Sequence, residues 1–136
     1  MEKNIFEKIR DNEAPAEIIY RNKYVTAFTD IYPSAPVHLL IIPNKMIKNL
    51  NEIEEEDNIY LSEILLVAKK LAKDYGIADS GYRLITNCNS DGGQEINYLH
   101  FHLVGGVKLG KMINLPKASK KKIFNRNTTG TGELIK

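Results

Sequence analysis

The chain has 136 residues, 43% of them hydrophobic and 26% charged, with a formal net charge of +2. Those proportions describe one soluble domain with a single core and exclude a disordered or membrane-embedded chain. No run approaches the roughly 20 apolar residues of a spanning helix, and Met1-Glu2-Lys3-Asn4 opens no signal peptide, so a cytoplasmic location is expected. The lone Cys88 precludes an intrachain disulfide framework.

Residues Asn4 to Asp11 place Ile5, Phe6 and Ile9 at helical spacing before the Asn12-Glu13-Ala14-Pro15 break, which predicts a short amphipathic helix. Glu17–Tyr20 and Tyr24–Thr29 read as a hairpin around Arg21-Asn22-Lys23. Asp30-Ile31-Tyr32-Pro33-Ser34-Ala35-Pro36 is too rich in proline for a central strand, because proline lacks a ladder donor. Val37–Pro43 is almost wholly apolar, as a strand covered on both faces would be, and His38 is its one polar residue. From about Glu55 to Tyr75 the apolar positions recur at helical spacing, with acids at the start, lysines near the end and Gly76 placed as a cap. Tyr82–Thr86 makes a fourth strand, a glycine-bearing turn follows from Asn87 to Glu95, and a fifth strand begins at Tyr98.

The predicted fold is α+β: an antiparallel five-stranded meander packed by one long and one short helix, within a domain spanning residues 1–113. Beyond it charge changes sign. From Lys108 onward eight basic residues face Glu133 alone, a balance of +7, whereas residues 1–107 carry 11 basic and 16 acidic residues, a balance of −5. Residues 114–136 are read as a flexible basic tail. Nucleic-acid binding is not expected of it, because no aromatic residues interleave with Lys117–Lys122 to stack bases.

Chemistry concentrates in Tyr98-Leu99-His100-Phe101-His102-Leu103. A period of two puts Tyr98, His100 and His102 on one face of a strand, with Leu99, Phe101 and Leu103 facing a core. A neutral imidazole is a competent nucleophile when one nitrogen is held as a donor, and the backbone carbonyl two residues back can accept that hydrogen. His102 is positioned to support such a nucleophile, as is His38 if its strand pairs nearby. In the preceding turn Gly92 and Gly93 allow backbone amides to point inward toward a phosphate, with Asn87 and Asn89 as side-chain donors. Each residue also has a plainer reading: a solvated His-x-His pair, a hydrogen-bonded core His38, ordinary turn formers. Metal binding by His38, His100 and His102 is a further alternative on ligand count, although three histidines supply a structural zinc site poorly.

Asp91-Gly92-Gly93-Gln94 leading to Leu99-His100-Phe101-His102-Leu103-Val104-Gly105-Gly106, together with Asp30-Ile31-Tyr32-Pro33-Ser34-Ala35-Pro36-Val37-His38, resembles the histidine-triad (HIT) nucleotide-binding proteins of the Hint branch. The resemblance runs from about Asn4 to Met112. It implies a homodimer whose two sheets join, and hydrolysis of purine nucleoside phosphoramidates or adenylates to the nucleoside monophosphate, without metal or other cofactor. It implies His100 as the nucleophile that forms a nucleotidyl-histidine, with His102 and His38 in support. Asp30 would hold the ribose hydroxyls, Phe28 and Ile31 would flank the base, and Asn87, Gly93, Gln94, Glu95 and Tyr98 would line the nucleotide site, Glu95 where some members carry serine. One departure stands out: the family pattern begins with a histidine where this chain has Tyr98. Hydrolysis is expected to survive, at a lower rate or with an altered pH profile, the alternative being a protein that binds purine nucleotide without turnover.

Overall fold

A computed structural model describes residues 2–116 of the chain. The basic tail from residue 117 on lies outside the described residues. The first helix, α1 (Ile5–Arg10), begins at a capping box: the Glu7 N–H donates to the Asn4 side chain and the Asn4 N–H donates to the Glu7 carboxylate, each at 3.0 Å. Six residues are too few to hold a helix in isolation. Burial of Phe6 and Ile9 against the sheet secures it.

Strands β1 (Ile18–Arg21) and β2 (Val25–Thr29) form the expected hairpin, its turn fixed by Asn22, whose side-chain oxygen accepts from the N–H groups of Tyr24 and Val25. Strand β3 (Val37–Pro43) has the bounds read from the sequence and is buried from His38 to Pro43. The long helix α2 (Asn58–Asp74) follows two 3-10 turns, Leu50–Glu52 and Glu55–Asp57, so the helix proper starts three residues later than its acidic run suggests. It ends in a Schellman motif: Gly76 adopts φ +73, its N–H donates to Lys73 O, and the Ile77 N–H donates to Ala72 O. Ile77 then joins Ala72 in the core.

Strands β4 (Tyr82–Ile85) and β5 (Phe101–Gly105) complete a five-stranded antiparallel sheet, but the order β1-β2-β3-β5-β4 departs from the predicted meander. Both β3 and β4 are antiparallel to β5, so they run parallel to each other and need a crossover, which α2 supplies. The gap left between them is filled by β5.

A second departure concerns the start of β5. Its register against β3 pairs Ile41 with Phe101, and extending it would set Leu99 opposite Pro43. Proline has no N–H to continue the ladder, so pairing stops and the Leu99 N–H donates to Ile47 O at 2.7 Å instead. Tyr98 therefore ends a bend, and Leu99 and His100 lead into the strand without being part of it.

Each face of the sheet has its own apolar cluster. Leu39, Ile41 and Leu103 join Ile64, Val67, Ala68 and Leu71 under α2, whereas Phe28, Leu40, Ile42 and Tyr98 join Phe6 and Ile9 under α1. The register lines up Ile18, Phe28, Leu40, His102 and Ile85 across all five strands. This row forms the floor of the α1 side.

Candidate active site

A helix of six residues cannot cover a five-stranded sheet, and the uncovered part is a cleft of about 560 Å³. Its floor includes Phe28, Leu40 and His102, its far side Asn87, Gly93, Glu95 and Ile96, and its near wall Ile5, Phe6 and Ile9 of α1. Asp30, Ile31, Tyr32, Ser34 and His38 close the end formed by the loop between β2 and β3.

All three histidines face this cleft. His100 is only 5% exposed. Its Nδ1 lies 2.6 Å from the Tyr98 backbone oxygen. A carbonyl can only accept, so Nδ1 carries the hydrogen and Nε2 keeps its lone pair. The Thr86 hydroxyl donates to the His100 carbonyl at 2.7 Å and the ring of Phe6 meets the imidazole edge-on at 4.9 Å, holding backbone and ring together. Burial pushes the His100 pKa below the ordinary histidine value, the hydrogen bond to the Tyr98 carbonyl acting in the opposite sense. The ring is thus neutral at neutral pH, as a nucleophile requires.

The same deduction runs through the other two rings. The Ser34 N–H donates to His38 Nδ1 at 2.9 Å, so a neutral His38 carries its hydrogen on Nε2. That nitrogen lies 2.9 Å from His102 Nδ1, which must then accept. His102 is left with its hydrogen on Nε2. Burial, and secondarily the neighbouring His100 and His38, lower the His102 pKa to about 4. The Asp30 carboxylate lies 3.4 Å from His38 Nε2, while its other oxygen accepts the Tyr32 N–H. Among the described residues, Asp30, His38 and His102 also bring ligand atoms within 4.8 Å of one another, a set able to hold a cation. The three-histidine set considered from the sequence is not the one that converges.

Of the eleven residues that the resemblance assigns to the site, nine line the cleft: Phe28, Asp30, Ile31, His38, Asn87, Gly93, Glu95, His100 and His102. Two do not. The Gln94 side chain braces the turn, accepting the Asn89 N–H and donating to the carbonyls of Lys48 and Ile96. Tyr98 is fully buried behind His100, its hydroxyl bonded to Pro43 O and its pKa pushed up to about 12 by burial. Tyr98, His100 and His102 do share the α1 side of the sheet, as expected, but Tyr98 is covered by Phe6 and packs with Phe28, Leu40 and Ile42, so its side chain does not reach the cleft. What Tyr98 supplies to the cleft is its carbonyl.

The turn also differs from expectation. Gly92 is required by close approach, since a Cβ there would lie 2.5 Å from Cys88 O, and Gly93 sits at φ +85. The Gly93 N–H, however, donates to Ser90 O within the turn instead of pointing inward, and the Asn89 side chain accepts from Asn49. Ile5, Phe6 and Ile9, the apolar positions of the predicted first helix, also line the cleft. Their spacing carries the same signal in either role.

The fold and cleft define a class: an open-sheet α+β protein with a buried histidine whose Nδ1 is held by a backbone carbonyl, in a cleft beside an apolar wall. The comparisons agree with it. A HIT domain matches residues 11–109. The chain is 48% identical over 112 residues to the purine nucleoside phosphoramidase of Escherichia coli K12, covering 82% of this chain and 94% of that one. It is 51% identical over 109 residues to an uncharacterized HIT-like protein of Buchnera aphidicola, covering 80% and 97%. A HIT family hydrolase from Clostridium thermocellum superposes with a TM-score of 0.80 at 47% identity, over 84% of this chain and 99% of that one. The chain belongs to the HIT family.

Proposed function

We propose that the protein hydrolyses purine nucleoside phosphoramidates, or related adenylates, to the nucleoside 5′-monophosphate. The observation that carries this reading is the 2.6 Å contact between His100 Nδ1 and the Tyr98 carbonyl, which leaves the Nε2 lone pair available in the cleft. The purine stacks against Phe28 and Ile31 beside the α1 wall, and Asp30 accepts from the ribose hydroxyls. Asn87, Gly93 and Glu95 stand on the phosphoryl side. The family relationship, including a relative named as a phosphoramidase, supports the same chemistry.

In the proposed reaction His100 Nε2 bonds to phosphorus as the phosphorus–nitrogen bond of the substrate breaks, its electron pair leaving with the nitrogen. The entering phosphoryl anion favours uptake of one proton by the His38–His102 pair. That proton goes to the departing amine through His102 Nε2. Water then attacks the nucleotidyl-histidine, giving a proton to His102 as the electron pair returns to His100 Nε2. His38 acts as a positioning residue throughout, holding His102 in the tautomer that points its hydrogen into the cleft.

The alternative of nucleotide binding without turnover draws on the Tyr98 substitution. Burial of the phenol weakens that argument, since the residue orients His100 through a carbonyl that any side chain would retain. Incubation with adenosine 5′-phosphoramidate separates the readings: AMP release supports the hydrolase, and saturable AMP binding without release supports the binding protein. Activity abolished by a chelator would instead favour metal bound at Asp30, His38 and His102.

We also infer a homodimer. Strand β4 is an open edge of the sheet, and Tyr82 on it and Leu66 beside it are 39% and 58% exposed. Sedimentation at a molecular mass of one chain would exclude it. No described helix is long and apolar enough to cross a membrane.

A further inference from the structure

A cleft that handles phosphate is ordinarily lined by cations. Among the described residues this one has none: no lysine or arginine lines it, and its charged residues are Asp30 and Glu95. The two carboxylates have different surroundings. Asp30 is half-buried, 3.4 Å from His38, at the end where the nucleoside is read. Glu95 is exposed on the opposite side, beside Asn87 and Gly93, and no ion pair among the described residues engages it.

The position of Glu95 says what it meets. On the reading above, Phe28 and Ile31 take the base beside the α1 wall, and His100 takes phosphorus. The group departing from phosphorus is carried away from the nucleoside, toward the turn that ends in Glu95. A carboxylate there attracts positive charge and repels negative charge, and no lysine or arginine among the described residues lines the cleft to cancel its field.

We propose that Glu95 determines leaving-group specificity, favouring nucleoside phosphoramidates whose departing amine carries a further positive charge and disfavouring those with a carboxylate or second phosphate there. The inference rests on the phosphoramidase reading above and deepens it. It makes the substrate a monoanion at phosphorus attached to a cationic amine. It also gives the dianionic monophosphate product a reason to leave, since product carries one more negative charge past the same carboxylate.

The test uses three adenosine 5′-phosphoramidates with N-substituents of equal reach: aminoethyl, hydroxyethyl and carboxymethyl. For the full-length wild-type protein at low salt, kcat/KM for the aminoethyl substrate is expected to exceed that for the carboxymethyl one by about tenfold or more, and the ratio should shrink as salt is raised. In Glu95→Gln and Glu95→Ser the ratio should fall to within about twofold of unity, and in Glu95→Lys it should invert. A ratio unchanged by Glu95→Gln and Glu95→Ser overturns the proposal. If wild type hydrolyses none of the three, the hydrolase reading is what fails. Dissociation constants for the matching non-hydrolysable adenosine 5′-sulfamates then measure the same ratio: loss of a charge preference on Glu95→Gln upholds the role of Glu95, and no difference between the proteins overturns it.

Discussion

The two faces of the sheet are made by the same strands and finish differently. Along β3, Leu39 and Ile41 point toward α2 and disappear into a continuous apolar layer, while His38, Leu40 and Ile42 point toward α1, where cover is partial. The difference lies in the length of the covering helix. The 17 residues of α2 reach across the sheet; the six of α1 do not. The shortfall leaves a cleft floored by strand residues, whose backbone is fixed by ladders on both sides. Rigidity made on the α2 face is thereby used on the α1 face, and a functional group such as His102 sits in a β-ladder between Leu40 and Ile85.

That contrast can be broken by changing one residue on each face. His100→Ala is expected to lower kcat/KM for adenosine 5′-phosphoramidate by at least about 10⁴-fold, because the remaining groups act only around the nucleophile. Its denaturation midpoint should move little by comparison. Turnover at more than a tenth of the wild-type rate would remove His100 from the proposed reaction. Leu103→Ala tests the other face: Leu103 is fully buried under α2, and truncation there is expected to cost about 2–5 kcal/mol in urea denaturation. Below its unfolding transition the variant should keep nearly full activity. Selective loss of kcat with stability intact would show that the two faces are less separate than their packing implies.

The same division explains what was legible beforehand. The bounds of β3, the hairpin and the two helices follow from periodicity and capping residues such as Asn4 and Gly76, which are local signals. The histidines were legible because three such residues in suggestive contexts are distinctive. The insertion of β5 between β3 and β4 was not, since strand order depends on where α2 delivers the chain. Nor could the sequence show that Tyr98, on the same side of the sheet as the histidines, is covered by Phe6 and bonded to Pro43 O, 55 residues earlier, and so stays out of the cleft. Ser34 escaped notice for a different reason: it acts through a backbone N–H, which every residue but proline carries.

Mild acid sharpens the comparison, because it acts through the histidines of the α1 face. Burial depresses the pKa of both His100 and His102, the latter to about 4 from an ordinary 6.5. Between those values the unfolded chain binds more protons than the folded one, so stability present above pH 6.5 is lost as pH falls toward 4. His102 contributes at most about 3 kcal/mol to this loss. Replacing His102 by Gln should flatten the dependence measured by urea denaturation at several pH values. The acid limb of kcat/KM should likewise lie below 6.5, and a limb above that value would contradict a buried neutral nucleophile.

The smallest effect is expected where the two roles meet. Tyr98 stands behind His100, its hydroxyl donating to Pro43 O and accepting from Arg10, its ring near Phe6, and its carbonyl holding the His100 ring. Tyr98→Phe removes the hydroxyl and leaves the carbonyl in place. The expected cost is about 1–3 kcal/mol of stability, because the buried Pro43 oxygen loses its donor. The loss in kcat/KM should stay under about tenfold, since the His100 tautomer does not depend on the phenol. Tyr98→His, placing an imidazole in the same buried position, should not accelerate turnover, for that ring too would face Pro43 instead of the cleft. If Tyr98→Phe instead lost about a hundredfold in rate with stability unchanged, the phenol would have to reach the reacting atoms. The separation between a carbonyl that orients and a side chain that packs would then be wrong at the residue on which it matters most.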